Sequence, residues 1–305
     1  MMYSYTGGRN YAGQLTNDTT SGNLTNLDSH INNNIGRVLR KHPWPFLFRE
    51  GTVSTVANVQ TVEVPANLVK VTSVVVETGT TRWTPHEVPN RDFWDRLNYT
   101  IATAHTADFP TWWYYQQRRI HFWPTPSTAR TVTITGRIGF SRLNIADYTT
   151  GTILTTTVGS ARVVGSSTVW TTGMGGRYLR ITGSDTNNKG DDEWYEISSV
   201  TSGTQLDLVK LYRGAAIASG TAAYTIGQMS PIPDGYQEAP IYRAVETYHA
   251  SKSTPGSSEK MTRFGSMAAE LENQMESDYG YATDNVVVEG DGDFEDDNPN
   301  LYVRT

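Results

Sequence analysis

The sequence predicts an α+β protein: a helical bundle, formed by an N-terminal helix and a C-terminal helix pair, packed on an antiparallel β-sheet, with a small β-barrel or sandwich module inserted. Three observations carry this. Apolar residues recur at helical spacing near the two ends, from Leu24 to Leu39 and from Ile241 to Met275. Between them lie β-type runs punctuated by Gly and Pro, and from about Gly151 these give way to short Thr-, Val-, Gly- and Ser-rich strands at turn-punctuated spacing. The implied organisation is an extended N-terminal arm over 1–22, a core over 23–150 and 229–280, the inserted module over 151–228, and an acidic extended tail over 281–305.

Residues 1–22 are rich in Gly, Asn, Thr and Ser and show no periodicity, which predicts an extended or mobile arm. Leu24, Leu27, Ile31, Ile35, Val38 and Leu39 then form a helical stripe, with Asp28 early and Arg37, Arg40 and Lys41 late, as the helix dipole favours. Pro43 and Pro45 end it at HPWPFLF, an aromatic plug of Trp44, Phe46, Leu47 and Phe48. Strands follow in GTVSTVANVQTVEVP and NLVKVTSVVVETGTT; Val62 and Val64 alternate with polar neighbours, whereas the continuous run Val74 to Val76 predicts burial on both faces. NRDFWDRLNY reads as a short helix capped by Asn90, with Phe93, Trp94 and Leu97 inward.

The stretch FPTWWYYQQRRIHFWPTPS holds seven aromatic residues between Phe109 and Trp123. It predicts a hairpin of TWWYY and IHFWP joined by QQRR and closed by Pro124 and Pro126. Alternation sends Trp112 and Tyr114 to one face, Trp113 and Tyr115 to the other. Both faces are therefore aromatic, so one packs on the core and the other is covered by a helix, another domain or another subunit. Trp112, Trp113, Tyr114, Tyr115, Phe122 and Trp123 are the expected packing residues. TVTITGRIGF adds a further strand, expected in the same sheet. Near the C-terminus, Ile241, Tyr242, Val245 and Tyr248, then Met261, Phe264, Met267, Ala268, Leu271 and Met275, mark two helices joined across TPGSS.

The chain has 305 residues, enough to bury a substantial core. Its net charge of −6 argues against a protein whose main task is neutralising phosphates. It has no cysteine, which excludes disulfides, thiol nucleophiles and Cys-ligated metals. The amino terminus lacks an apolar signal region, and no eighteen consecutive residues are apolar, so neither secretion nor a membrane span is expected and assembly in the cytoplasm is.

Candidate chemistry is sparse. None of the six histidines pairs with another at the i, i+4 spacing of a helical zinc site. GMGGR, from Gly173 to Arg177, lacks the lysine and hydroxyl residue of a phosphate loop and precedes a strand, which makes it a turn. DGDFEDD, from Asp291 to Asp297, lacks the glycine and distal glutamate of an EF-hand loop and reads as an acidic tail. KGDDEW offers no identifiable carboxylate dyad. No catalytic residues, cofactor or metal are expected, and the chain is not expected to be an enzyme. An aromatic platform for sugars remains an alternative reading of the hairpin, and single-strand nucleic-acid binding would need more cations than Arg118, Arg119 and Arg130 supply.

The order of these motifs resembles that of head-to-tail adaptor (connector) proteins of tailed bacteriophages. The shared features are an extended strand approach at Val64 to Leu68, a Pro-x-Trp strand at Pro110 to Trp112 and a Trp-Pro-x-Pro strand end at Trp123 to Pro126. The likeness covers residues 24–140 and, more loosely, the helix pair over 234–279. It implies a virion neck protein: a homo-oligomeric ring, usually of twelve copies, docked on the portal protein, offering a platform to the next tail component, with double-stranded DNA passing through its centre. By the same analogy Val286, Val287, Val288, Leu301, Tyr302 and Val303 would be the apolar grips of a portal-docking tail. The β module is the departure from the smaller adaptors. A carbohydrate-binding β protein of a phage tail is the alternative, and a cell-wall glycosidase the third reading.

Overall fold

Ser4 starts the first helix, α1 (Tyr5–Thr16), by accepting the Gly7 N–H on its hydroxyl, and Asn17 ends it in the left-handed conformation at φ 53°. The computed structural model describes residues 3–65, 68–99, 105–183, 190–218, 222–252, 255–280, 288–290 and 301–303. It corrects the extended arm expected over 1–22. Local propensity is weak there, and tertiary contact supplies what periodicity does not. Ala12 is fully buried, and Gly13 leaves room for Leu24, whose Cδ2 would lie 2.8 Å from any added Cβ. Helix α2 (Ser21–Lys41) follows, burying Leu27, Ile31, Ile35, Val38 and Leu39 along the expected stripe. Pro45–Leu47 then makes a 3-10 turn in which Trp44 stacks on Phe46 at 5.6 Å.

Residues 43–140 form one compact unit. Its elements are β1 (Phe48–Ser54), β2 (Thr61–Glu63), β3 (Leu68–Thr78), β4 (Thr81–Trp83), β5 (His86–Glu87), α3 (Arg91–Leu97), β6 (Thr106–Ala107), β7 (Trp112–Gln116), β8 (Arg119–Trp123), β9 (Thr125–Pro126) and β10 (Thr131–Ile138). One four-stranded sheet runs β1-β10-β3-β4 and another β2-β8-β7-β5, while β6 and β9 form a short parallel pair. TVTITGRIGF, as β10, thus lies in a different sheet from the hairpin β7–β8. Pro124 and Pro126 lack the N–H groups that would extend the hairpin ladder, so the chain leaves that layer before β10 begins. The two sheets share one core: Val74, Val76, Val132 and Ile134 pack with Val62, Trp113, Ile120 and Phe122. This one-sided covering also corrects the valine run, since Val74 and Val76 are fully buried while Val75 is only half-buried.

Residues 1–42 and 141–305 cluster as the other unit. Strands β11 (Thr152–Thr156), β12 (Arg162–Ser166), β13 (Tyr178–Ile181), β14 (Trp194–Ser202), β15 (Gln205–Leu208) and β16 (Tyr224–Gly227) form a sheet of order β11-β12-β15-β14-β13-β16. Its outer edges meet through the bridges Tyr148–Ile226, Ile153–Ala222 and Thr156–Ile217, so the sheet curls back on itself. Ile153, Leu179, Ile181, Leu206, Tyr212 and Ile226 fill its interior, where the Trp170 indole N–H donates to the Tyr224 hydroxyl at 2.9 Å. GMGGR begins inside a 3-10 turn, Thr172–Met174, and leads on into β13.

Helices α4 (Glu238–Ala250) and α5 (Ser257–Tyr279) follow, and α4 is the hub, packing against α1, α2 and α5. The Tyr5 N–H donates to the Gln228 carbonyl at 2.8 Å, and Asn32 exchanges two hydrogen bonds with the Leu143 backbone, at 2.7 and 3.0 Å. These contacts tie the bundle to the chain segments flanking the barrel. Last come β17 (Val288–Gly290) and β18 (Leu301–Val303), paired antiparallel with Val288 opposite Val303.

Candidate functional site

The aromatic hairpin owes its register to a two-residue turn. Gln117 and Arg118 both take positive φ, 51° and 61°, the backbone twist that suits a tight hairpin. The turn is thus shorter than QQRR, and Gln116 pairs with Arg119. From that pairing the rest follows: Tyr115 lies opposite Ile120, Tyr114 opposite His121, Trp113 opposite Phe122 and Trp112 opposite Trp123.

One face is core. Trp113 is 3 % exposed and Phe122 fully buried, and Tyr115 packs against the same cluster. The other face is partly covered by the same unit, and Trp112, Tyr114 and Trp123 stay half-buried. Helix α3 begins at Asn90, whose side chain accepts the Phe93 N–H at 2.9 Å, and this start turns Phe93 and Trp94 onto the hairpin. Phe93 meets Trp112 at 5.0 Å, Trp94 stacks on Tyr114 at 5.6 Å, His86 meets Trp112 at 5.3 Å and His105 meets Trp123 at 6.1 Å. A helix of the same chain, one of the three covers the sequence allowed, lies on this face. Rings so engaged are unavailable as a flat stacking platform.

The rim of this layer is polar and self-paired. Arg91 donates to Asp95 at 2.9 Å and to Gln116 at 2.7 Å, and Arg119 to Glu63 at 3.0 Å. Burial, reinforced by the charges of Arg119 and Arg91, holds the His121 imidazole below the usual histidine range. His121 is therefore a neutral packing group at neutral pH, without, among the described residues, the carboxylate partner an acid–base role requires. The hairpin tip, Gln117 to Arg119 with Glu63 and Val64, borders an open cleft of about 440 Å³.

The helical unit holds a charge network that the sequence did not reveal. Arg243 donates to both oxygens of Glu272, at 3.0 and 3.2 Å, and to Glu246 at 3.0 Å; Arg37 adds a bond to Glu272 at 3.3 Å. Lys41 pairs with Glu276. Only Arg243–Glu246, at i, i+3, was available to spacing rules. The N-terminal residues were missed similarly: Tyr3 donates to Glu238 at 3.0 Å, Ser4 to Asp147 at 2.6 Å and Tyr5 to Asp28 at 2.7 Å. The signal for this docking was Ser4 as a helix cap, which the Gly- and Asn-rich composition masked.

Among the described residues no group of three or more His, Asp or Glu side chains is arranged to hold a metal ion. In KGDDEW, Asp191 accepts from the Tyr195 hydroxyl and from the Glu193 N–H at 3.2 Å, a structural arrangement. DGDFEDD, Val286 and Val287 lie outside the described residues, while Val288 and Leu301 to Val303 are strand residues of the terminal pair. No helix among the described residues is long and apolar enough to cross a membrane.

Residues 9–150 match the family model of the SU10 adaptor protein. The matched span takes in most of α1, all of α2 and the whole two-sheet unit, and ends before β11. It contains each motif on which the adaptor resemblance over 24–140 rests. No curated protein matches the chain.

Proposed function

We propose that this chain, similar over residues 9–150 to the SU10 adaptor protein family, is a structural component of a tailed-phage virion that joins the head to the tail. The family match carries the reading, and the closed aromatic hairpin agrees with it. Large aromatics that fill a two-sheet unit on one side and seat a helix on the other build a stiff scaffold, whereas a sugar or base platform displays them. In this reading copies assemble into a ring, twelve being the expected number, beneath the portal protein, and double-stranded DNA passes through the centre. A net charge of −6 suits a conduit, because acidic walls do not retain the phosphate backbone.

Because α3 lies over Trp112 and Tyr114 on the second aromatic face, contact between copies is assigned chiefly to other surfaces. The curled β module is offered to the next tail component, and the segment from Val286 to Val303 engages the portal. The chain's work is assembly, with no catalytic turnover.

Electron microscopy of the purified protein, alone and mixed with its portal protein, tests this. Rings seated coaxially on the portal are expected. Absence of rings in both samples, together with absence of the chain from purified virions, would overturn the proposal.

A further inference from the structure

A polar cavity of about 200 Å³ lies at the start of α5, lined in part by His249, Lys252, Ser257 and Lys260. Gly256 precedes the helix at φ 79° and supplies no side-chain cap. The first intrahelical bond runs from the Lys260 N–H to the Gly256 carbonyl at 3.1 Å, so the N–H groups of Ser258 and Glu259 open the helix without an intrahelical acceptor. A helix of 23 residues concentrates positive potential at this end. Lys252 and Lys260 add two ammonium groups that form no ion pair among the described residues; that of Lys252 lies over the Tyr248 ring at 4.8 Å.

The imidazole of His249 lines the same cavity. It is 5 % exposed, its ring stacks on Phe264 at 6.2 Å, and its Nε2 has no hydrogen-bond partner among the described residues. Buried nitrogens of this kind are rarely left without a partner unless a ligand or water serves them. The nearby carboxylates are Glu259, exposed in the first turn, and Asp18, which already accepts from Thr20 and Tyr248.

We propose that this cavity, at the positive end of α5, binds one oxyanion, a sulfate, phosphate or carboxylate group, held by Lys252 and Lys260, with His249 as the buried partner. Desolvation and the charge of Lys260 hold the imidazole below its usual range, so an arriving anion draws a proton onto it. The anion could be free or a side-chain carboxylate of the acidic segment from Asp291 to Asp297.

The test is calorimetric titration of the full chain with inorganic sulfate near neutral pH in two buffers of different ionisation heat. Sulfate is fully ionised, so any proton taken up enters the protein. Saturable binding of one sulfate per chain with proton uptake is expected. Lys252→Ala with Lys260→Ala should weaken it at least about tenfold, as loss of charge-assisted contacts implies, and His249→Gln should abolish the uptake. Both lysines are exposed, so the double variant should melt like the parent. A full-length variant with Asp291, Asp293, Glu295, Asp296 and Asp297 neutralised separates the sources: tighter sulfate binding identifies the acidic segment as occupant, and unchanged binding identifies a free anion. No saturable heat, or equal binding by the lysine variant, would overturn the proposal. Neither result bears on ring formation.

Discussion

The indole of Trp94 lies on the ring of Tyr114, with centroids 5.6 Å apart and planes within 19°, and meets His121 edge-on at 5.8 Å. A helix of seven residues therefore seats two of the aromatic rings of this hairpin face, Trp112 and Tyr114. Trp94→Ala should lower the unfolding free energy by about 3–5 kcal/mol, the usual cost of deleting a buried Trp, and Trp113→Ala on the opposite face by a similar amount. Urea unfolding measures both. Unchanged stability, with tryptophan fluorescence that responds to added sugars, would instead restore the reading of an open platform.

Glu272 divides its two arginines unequally. Arg243 is largely enclosed, with 19 % of its side chain exposed, whereas Arg37 is 57 % exposed. Arg37→Ala should cost about 0.2–1 kcal/mol, as exposed pairs do. Arg243→Ala should cost about 1.5–3 kcal/mol because it leaves Glu272 and Glu246 without their principal donor. A double-mutant cycle through Glu272→Gln should assign most of the coupling to Arg243.

Two glycines should respond with opposite signs. A Cβ at Gly136 would sit 2.4 Å from the Lys70 carbonyl oxygen, and backbone does not yield. Gly136→Ala should therefore destabilise by about 1–3 kcal/mol through overpacking in the β3–β10 ladder. At Gly36, inside α2, the nearest atom is the flexible tip of Arg40 at 3.7 Å. Gly36→Ala should stabilise by roughly 0.5–1 kcal/mol through helix propensity. Thermal and denaturant midpoints report both.

His121 and His249 share a pH signature. Burial is the leading cause of the lowered imidazole pKa at each. The unfolded chain, with histidine near about 6.5, then binds protons more readily than the folded one. Stability from these residues is complete above the unfolded value and is lost as pH falls below it, levelling once the folded values are passed. The urea midpoint should fall between about pH 7.5 and about pH 5.5, and His121→Gln with His249→Gln should flatten that fall.

Legibility in the sequence followed the range of the interaction. The α2 stripe, the hairpin and the alternation of its aromatics are local patterns, and they could be read. The assignment of β10 to a second sheet could not, because nothing near Thr131 to Ile138 specifies which strand it meets. The helical state of Tyr5–Thr16 depends on residues more than two hundred positions away, such as Gln228 and Tyr242. The cavity at α5 is similar: Lys260 and His249 carry no motif, and only the fold brings them together.

The contacts of Tyr3 and Ser4 with Asp147, Gln237 and Glu238 also bear on synthesis. Residues 43–140 close their own core using only neighbours in that interval, so they can fold on the ribosome once Phe140 has cleared the exit tunnel. The first helix must wait until Glu238 emerges. A segment translated before residues 43–140 is thus among the last to find its place, and a chain interrupted before Glu238 would carry a folded 43–140 unit and an undocked first helix.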